Sequence, residues 1–233
     1  MIDYRGWRHT FKLDPDKTIG DEALEALCES GTDAIIVGGT YGVTYDNTLE
    51  LMARVRRYAV PAVLEISSLD AVVPGFDAYF IPLVLNAGDP DWIFAPHVSG
   101  LKAYGSYIHW EEIFTEGYLI ANPEASVAQL TKARPIADSD EAKAYAQVAA
   151  NICRLPIVYV EYSGTYGDPE LVRACRAGAE GAHLFYGGGI RTPQQAAEMA
   201  AIADTVVVGN VIYDDLQAAL ATVAAVKGVQ KQR

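Results

Sequence analysis

His183-Leu184-Phe185-Tyr186-Gly187-Gly188-Gly189-Ile190 and Thr205-Val206-Val207-Val208-Gly209-Asn210-Val211-Ile212 share one pattern: an apolar, β-rich run closes on glycine, and a helical pattern follows. Glycine lets backbone N–H groups come close to an anion, and a helix start adds the positive end of its dipole. Two such turns, on the last two strands of an alternating strand–helix chain, are the usual phosphate cradle of a TIM barrel. The pair therefore bears on fold and ligand together.

Upstream, six more strand candidates fall at residues 7–13, 34–37, 62–66, 79–85, 118–121 and 157–162, ahead of 183–186 and 205–208. They are apolar on both faces, as strands are when helices cover a parallel sheet. Pro82 inside the fourth predicts irregular pairing there. Helical patterns occupy 21–29, 47–58, 92–104, 140–153, 169–177, 193–203 and 215–226. Thr192-Pro193 and Asp168-Pro169 each offer an N-cap followed by proline at the first helical position. Eight strands alternating with helices predict one (β/α)8 barrel over residues 1–233, an α/β fold. The link 67–77, with Pro74-Gly75, is too short for a loop, a full helix and a second loop. The crossover after the third strand should therefore lack a regular helix. Its absence should leave an apolar groove for a long greasy ligand or a partner subunit. The tail at 227–233 reads as frayed.

The chain has 233 residues, 51% of them hydrophobic, which is enough for a single barrel core. A formal net charge of -12 argues against general binding to nucleic acid or anionic membrane, both of which reward clustered Lys and Arg. Residues 1–9 lack the apolar core of a signal peptide, and no apolar run approaches the ~20 residues that span a bilayer. Cys28, Cys153 and Cys175 have neither the number nor the spacing of a disulfide framework or zinc site. A soluble, cytoplasmic protein is the expectation.

The first strand ends Lys12-Leu13-Asp14, and residues two apart on a strand share a face. Lys12 and Asp14 should stand together at the C-terminal mouth, where barrel active sites lie. A lysine suits phosphate and an aspartate suits Mg²⁺; the plain alternative is a surface ion pair. Thr40, after Gly38-Gly39, could offer its hydroxyl to Mg²⁺ or phosphate, or belong to a flexible loop. On the sixth strand Tyr159, Glu161 and Ser163 alternate onto one face. A carboxylate between two hydroxyl side chains can accept hydrogen bonds from a polyol and take a proton. Otherwise a core Arg or Lys must neutralise it, and Lys12 is the lone lysine on any assigned strand. Glu65, ending the third strand, reads as support for the same site. His9, His97, His109 and His183 show no metal-ligand spacing and read as structural or surface residues.

The segments Phe11-Lys12-Leu13-Asp14-Pro15, Gly38-Gly39-Thr40, Val73-Pro74-Gly75-Phe76-Asp77, Tyr159 to Gly164, Tyr186 to Ile190 and Val208-Gly209-Asn210 resemble those of the geranylgeranylglyceryl/heptaprenylglyceryl phosphate synthases. The likeness runs over nearly the whole chain and leans to the bacterial, heptaprenyl-using branch. It implies a Mg²⁺-dependent prenyltransferase that moves a long polyprenyl group from its diphosphate to the 3-hydroxyl of sn-glycerol 1-phosphate. It further implies that Lys12, Tyr159, Val160, Glu161, Tyr162, Ser163, Gly164, Gly189, Gly209 and Asn210 bind the glycerol phosphate. Asp14 and Thr40 would sit at the metal, and Asp14 and Glu161 would be catalytic. A homodimer with at most peripheral membrane contact is implied as well. Gly100, on the helix bordering the expected groove, would leave room for a long tail.

Two other readings stay open. One is a barrel isomerase or lyase acting on a small phosphorylated metabolite; the absence of lysine from the fourth to eighth strands counts against a Schiff-base version. The other is a non-catalytic lipid- or phosphate-binding barrel, which would leave Asp14 idle.

Overall fold

A computed structural model describes residues 2–230. Its frame is a closed barrel of parallel strands in sequence order: β1 (His9–Leu13), β2 (Ala34–Val37), β3 (Ala62–Glu65), β4 (Ala78–Val84), β5 (Ile113–Ile120), β6 (Ile157–Glu161), β7 (His183–Gly187) and β8 (Thr205–Val208). Closure comes from β1 pairing β8, with Thr10 opposite Val207. The helices are α1 (Asp21–Glu29), α2 (Tyr45–Val55), α3 (Ala95–Tyr104), α4 (Ser126–Thr131), α5 (Ser139–Gln147), α6 (Pro169–Gly178), α7 (Pro193–Ala200), α8 (Val211–Asp214) and α9 (Leu216–Lys227).

Strand alternation creates two apolar layers. Ile36, Val63, Phe80, Tyr118, Tyr159, Phe185 and Val207 fill the barrel interior. Phe11, Val37, Leu64, Leu119, Val160, Tyr186 and Val208 face outward and pack under the helices. Helix α1 meets that outer layer with Leu24, Leu27 and Cys28, a stripe at helical spacing. Fully burying each such side chain is worth about 1.5–3 kcal/mol. Capping boxes fix two helix starts, Thr44 with Asn47 on α2 and Thr192 with Gln195 on α7.

The expected gap is present: between β3 and β4 there is only a single 3₁₀ turn, Leu69–Ala71. Strand β4 pairs β3 only from Ala78 to Phe80, whereas its pairing with β5 continues to Val84. Pro82 lies beyond the end of the β3 pairing, so its missing N–H disrupts no ladder there.

Other boundaries differ from the sequence reading. Strand β5 begins at Ile113 rather than 118, because its first residues pair with Tyr79, Phe80 and Ile81 of β4. The helix expected at 92–104 is broken: a 3₁₀ turn over Pro90–Trp92 precedes α3, which restarts with Pro96 in its first turn. The helix expected at 140–153 passes from α5 into a π turn, Val148–Ile152. Before α9 lies the separate short α8, and the Asp215 side chain accepts from Ala218 N–H to cap α9. Helix α4, between β5 and α5, has no counterpart in the sequence reading. Of the tail read as frayed, Lys227 closes α9 and lies 2.8 Å from Asp33, while 231–233 lie outside the described residues.

Candidate active site

The first glycine turn is shaped by contact with the loop after β6. Gly187 C=O accepts Tyr162 N–H at 2.7 Å. The Tyr186 hydroxyl donates to Gly188 C=O and accepts Gly167 N–H, both at 2.8 Å, which ties the two loops together. Gly189 has φ +55, and a Cβ there would fall 2.0 Å from the Thr165 carbonyl carbon. Only glycine allows this approach. Across the mouth, the β8 turn places Gly209 and Asn210 beside the end of β1.

Beside these turns stands Glu161, 2% exposed. One of its oxygens accepts the Tyr118 hydroxyl at 2.6 Å, and the other accepts Ser163 N–H. The carboxylate is thus held by a phenol and a backbone amide rather than by a cation. Tyr159 is stacked between Tyr118 and Phe185, with centroids at 4.6 and 6.1 Å. Burial, then the Glu161 charge, pushes the Tyr118 hydroxyl well above its ordinary pKa, so it stays protonated as a donor. Ser163 and Gly164 line the same cavity, and Asn122 donates to Ser163 C=O at 2.6 Å. The side chains of Val160 and Tyr162 lie elsewhere, in the layer under the helices. From them, only backbone is available to a ligand at the mouth.

Lys12 rises into the cavity floor, its Nζ 2.5 Å from Glu65 Oε1. Burial alone would lower its pKa, but Glu65 and then Glu161 outweigh that and hold it charged. Asp14 follows the strand end. Its N–H donates to the Tyr213 hydroxyl at 3.1 Å, and its Oδ1 accepts Asp16 N–H at 3.1 Å. Gly39 passes so close that a Cβ there would sit 2.3 Å from Asp14 Oδ1, which brings Thr40 to the same corner. No group of three or more His, Cys, Asp or Glu that could hold a metal occurs among the described residues.

Glu116, buried beneath the cavity and not lining it, is a charged-type residue that the sequence reading misses. It is fully buried on β5, and both carboxyl oxygens lack a hydrogen-bond partner. Burial, then the charge of Glu65, raises its pKa well above the carboxylate range. With Lys12 facing three glutamates, the interior keeps Glu116 protonated. A charged residue inside an apolar run was its available signal.

The mouth opens into a cavity of about 1620 Å³ that runs past the β3–β4 gap to α3. That exceeds the roughly 300–1,000 Å³ usual for a small ligand. Phe76, Tyr79, Ile81 and Leu83 wall it, and exposed Phe94, Tyr107 and Trp110 rim its far end. Gly100 faces Leu69 across the trough; a Cβ there would lie 3.3 Å from Leu69 Cδ2. The histidines fall outside this chemistry. His9 is buried between the Thr32 and Thr222 hydroxyls, and His183 meets the Thr205 hydroxyl at 2.8 Å. His97 and the exposed His109 both line the trough at its far end, away from Glu161.

Fold and site together define a (β/α)8 enzyme barrel with glycine turns after its last two strands and an apolar trough opening from them. The chain belongs to the PcrB family, whose model matches residues 2–227. It is 86% identical to the heptaprenylglyceryl phosphate synthase of Brevibacillus brevis over 230 residues, covering 99% of this chain and 100% of that one. An enzyme of the same name from Bacillus cereus is 57% identical over 228 residues, covering 98% of this chain and 100% of its own. Among solved structures, the (S)-3-O-geranylgeranylglyceryl phosphate synthase of Thermoplasma acidophilum, in complex with its substrate sn-glycerol-1-phosphate, superposes with a TM-score of 0.85. It is 26% identical, and the match covers 96% of this chain and 94% of that one. Among the described residues, no helix is long and apolar enough to cross a membrane.

Proposed function

We propose that this protein transfers a heptaprenyl group from its diphosphate to the 3-hydroxyl of sn-glycerol 1-phosphate, giving an ether lipid precursor and diphosphate. One observation carries the reading: a single cavity of about 1620 Å³ joins the glycine turns, the Glu161 carboxylate and the apolar trough beside the β3–β4 gap. The names of the relatives, and the glycerol phosphate bound in the archaeal structure, support it.

The acceptor phosphate would rest on the backbone of Gly189, Gly209 and Asn210. Its glycerol would lie along Tyr159, Glu161, Ser163 and Gly164 above Lys12, with Val160 and Tyr162 contributing main chain only. A carboxylate has lone pairs to spare after two hydrogen bonds, so Glu161 can also accept from the glycerol hydroxyl. As the hydroxyl oxygen bonds to the prenyl C1, the C1–O bond to diphosphate breaks. The leaving group keeps the electron pair, and the hydroxyl proton passes to Glu161. Fixing both reactants in one cavity turns a bimolecular encounter into a positioned one.

Asp14 and Thr40 would hold Mg²⁺, an ion that takes one or two carboxylates and completes its shell with substrate phosphates and water. Their all-oxygen corner, with the Asp14 carboxylate free of any ion pair among the described residues, fits that ion. When bound, Mg²⁺ would offset negative charge on the departing diphosphate. A cytoplasmic homodimer with at most peripheral membrane contact completes the proposal, supported by the exposed apolar rim at Phe94, Val98, Tyr107 and Trp110.

The test mixes purified protein with sn-glycerol 1-phosphate and prenyl diphosphates of several lengths, with Mg²⁺ or with chelator. Mass spectrometry should find heptaprenylglyceryl phosphate in the Mg²⁺ arm. Failure to release diphosphate at any tail length would end the proposal.

A further inference from the structure

We infer that Lys17 is a further binding residue of the active site, a cation that closes on the phosphate of the acceptor. The inference rests on the proposed acceptor and adds a contact that the sequence motifs leave out. Lys17 belongs to the turn after β1, where its N–H donates to Asp14 C=O at 3.0 Å. From there its side chain reaches across the mouth to the β8 turn, and its Nζ donates to Asn210 Oδ1 at 3.0 Å. The ammonium also lies 4.9 Å from the centroid of the Tyr213 ring, whose hydroxyl accepts from Asp14 N–H. The lysine is therefore aimed, by an aromatic face and an amide oxygen, at the residue that flanks the second glycine turn.

Its partners mark it as available. Lys12 and Arg191, which line the same cavity, are already paired, with Glu65 and Asp214. Lys17 has no ion-pair partner among the described residues, in a chain of net charge -12. A neutral amide oxygen is a weaker acceptor for an ammonium than a phosphate oxygen is. An arriving phosphate can take the ammonium from Asn210 and share it, while the Tyr213 ring holds the stem in place. Being exposed, Lys17 can make this exchange without opening the core.

The test uses Lys17→Met, which keeps the apolar stem, and Lys17→Arg, which keeps the charge, in the full-length protein. For Lys17→Met, KM for glycerol phosphate should rise about tenfold or more, with KM for prenyl diphosphate within about twofold of wild type. Lys17→Arg should recover most of that loss. Calorimetric binding of sn-glycerol 1-phosphate without any prenyl donor should weaken in parallel. Unchanged acceptor KM and affinity would overturn the inference. A rise in donor KM alone would also overturn it, because the cation would then serve the diphosphate. If wild-type protein shows no turnover at all, the proposed reaction fails, whereas the calorimetric comparison still decides whether Lys17 meets the phosphate.

Discussion

Glu161 and Glu116 sit on neighbouring strands of the same barrel interior, yet their environments push them to opposite tasks. Glu161 accepts two hydrogen bonds and faces the cavity, the setting of a carboxylate that can take a proton. Glu161→Gln keeps the shape and removes the basic oxygen. We expect kcat to fall by about 10²–10⁴-fold with the glycerol phosphate affinity less affected, read by steady-state kinetics and direct binding. Glu116 has no partner and keeps its proton. Its folded pKa lies above the unfolded value of about 4.3, so its contribution to stability is full below that pH and is lost as pH rises through the folded pKa. Glu116→Met should remove this slope and raise stability near pH 8 by about 1–3 kcal/mol, measured by denaturant titration across pH. The Glu161 side chain was legible because it interrupts a short, purely apolar strand between two hydroxyl residues. Glu116 was hidden because the apolar run starts at Tyr118, which leaves Glu116 outside the expected strand although β5 begins at Ile113.

At the scale of elements, α3 and the gap beside β3 decide what the trough can hold. Helix α3 has no buried residue, and Gly100 leaves room on its trough-facing side for the Leu69 side chain, which a Cβ there would meet at 3.3 Å. We expect Gly100→Phe to shorten the accepted tail. The ratio of kcat/KM for heptaprenyl over geranylgeranyl diphosphate should drop about tenfold or more. Thermal stability should change little only if the Leu69 side chain, 3.3 Å from where the new Cβ would lie, swings aside, so a melting curve accompanies the kinetics. The strand order and the missing helix were readable, since apolar runs and a short Pro-Gly link are local signals. The broken helices were not. Pro96 restarts α3 inside a pattern that continues hydrophobically on both sides, whereas the start of α9 at its Asp215 cap matches the helix expected from 215. The pairing of Lys12 with Glu65 was equally invisible, because it joins strands 53 positions apart and depends on barrel closure.

For the whole molecule, the start of β1 is tied to the loop before β2 and to α9 by a buried histidine. His9 bridges the Thr32 hydroxyl ahead of β2 and the Thr222 hydroxyl on α9, both at 2.9 Å. Burial, opposed by Asp33, pushes its pKa down to about 3. The folded barrel needs the neutral ring. Stability from this group is therefore full above the unfolded value of about 6.5 and is lost as pH falls towards the folded one. Acid titration of wild type and His9→Gln should show a shallower loss for the variant between these limits. A matching pair of curves would assign the acid sensitivity elsewhere. The division of labour between barrel and trough also bears on how this protein can change. The glycine turns and Glu161 are locked into the closed sheet, where substitution threatens folding. The far wall of the trough is a helix that contributes nothing buried. Selection can therefore retune the length of the lipid made by drifting through α3 at almost no thermodynamic cost, while the chemistry remains inherited intact.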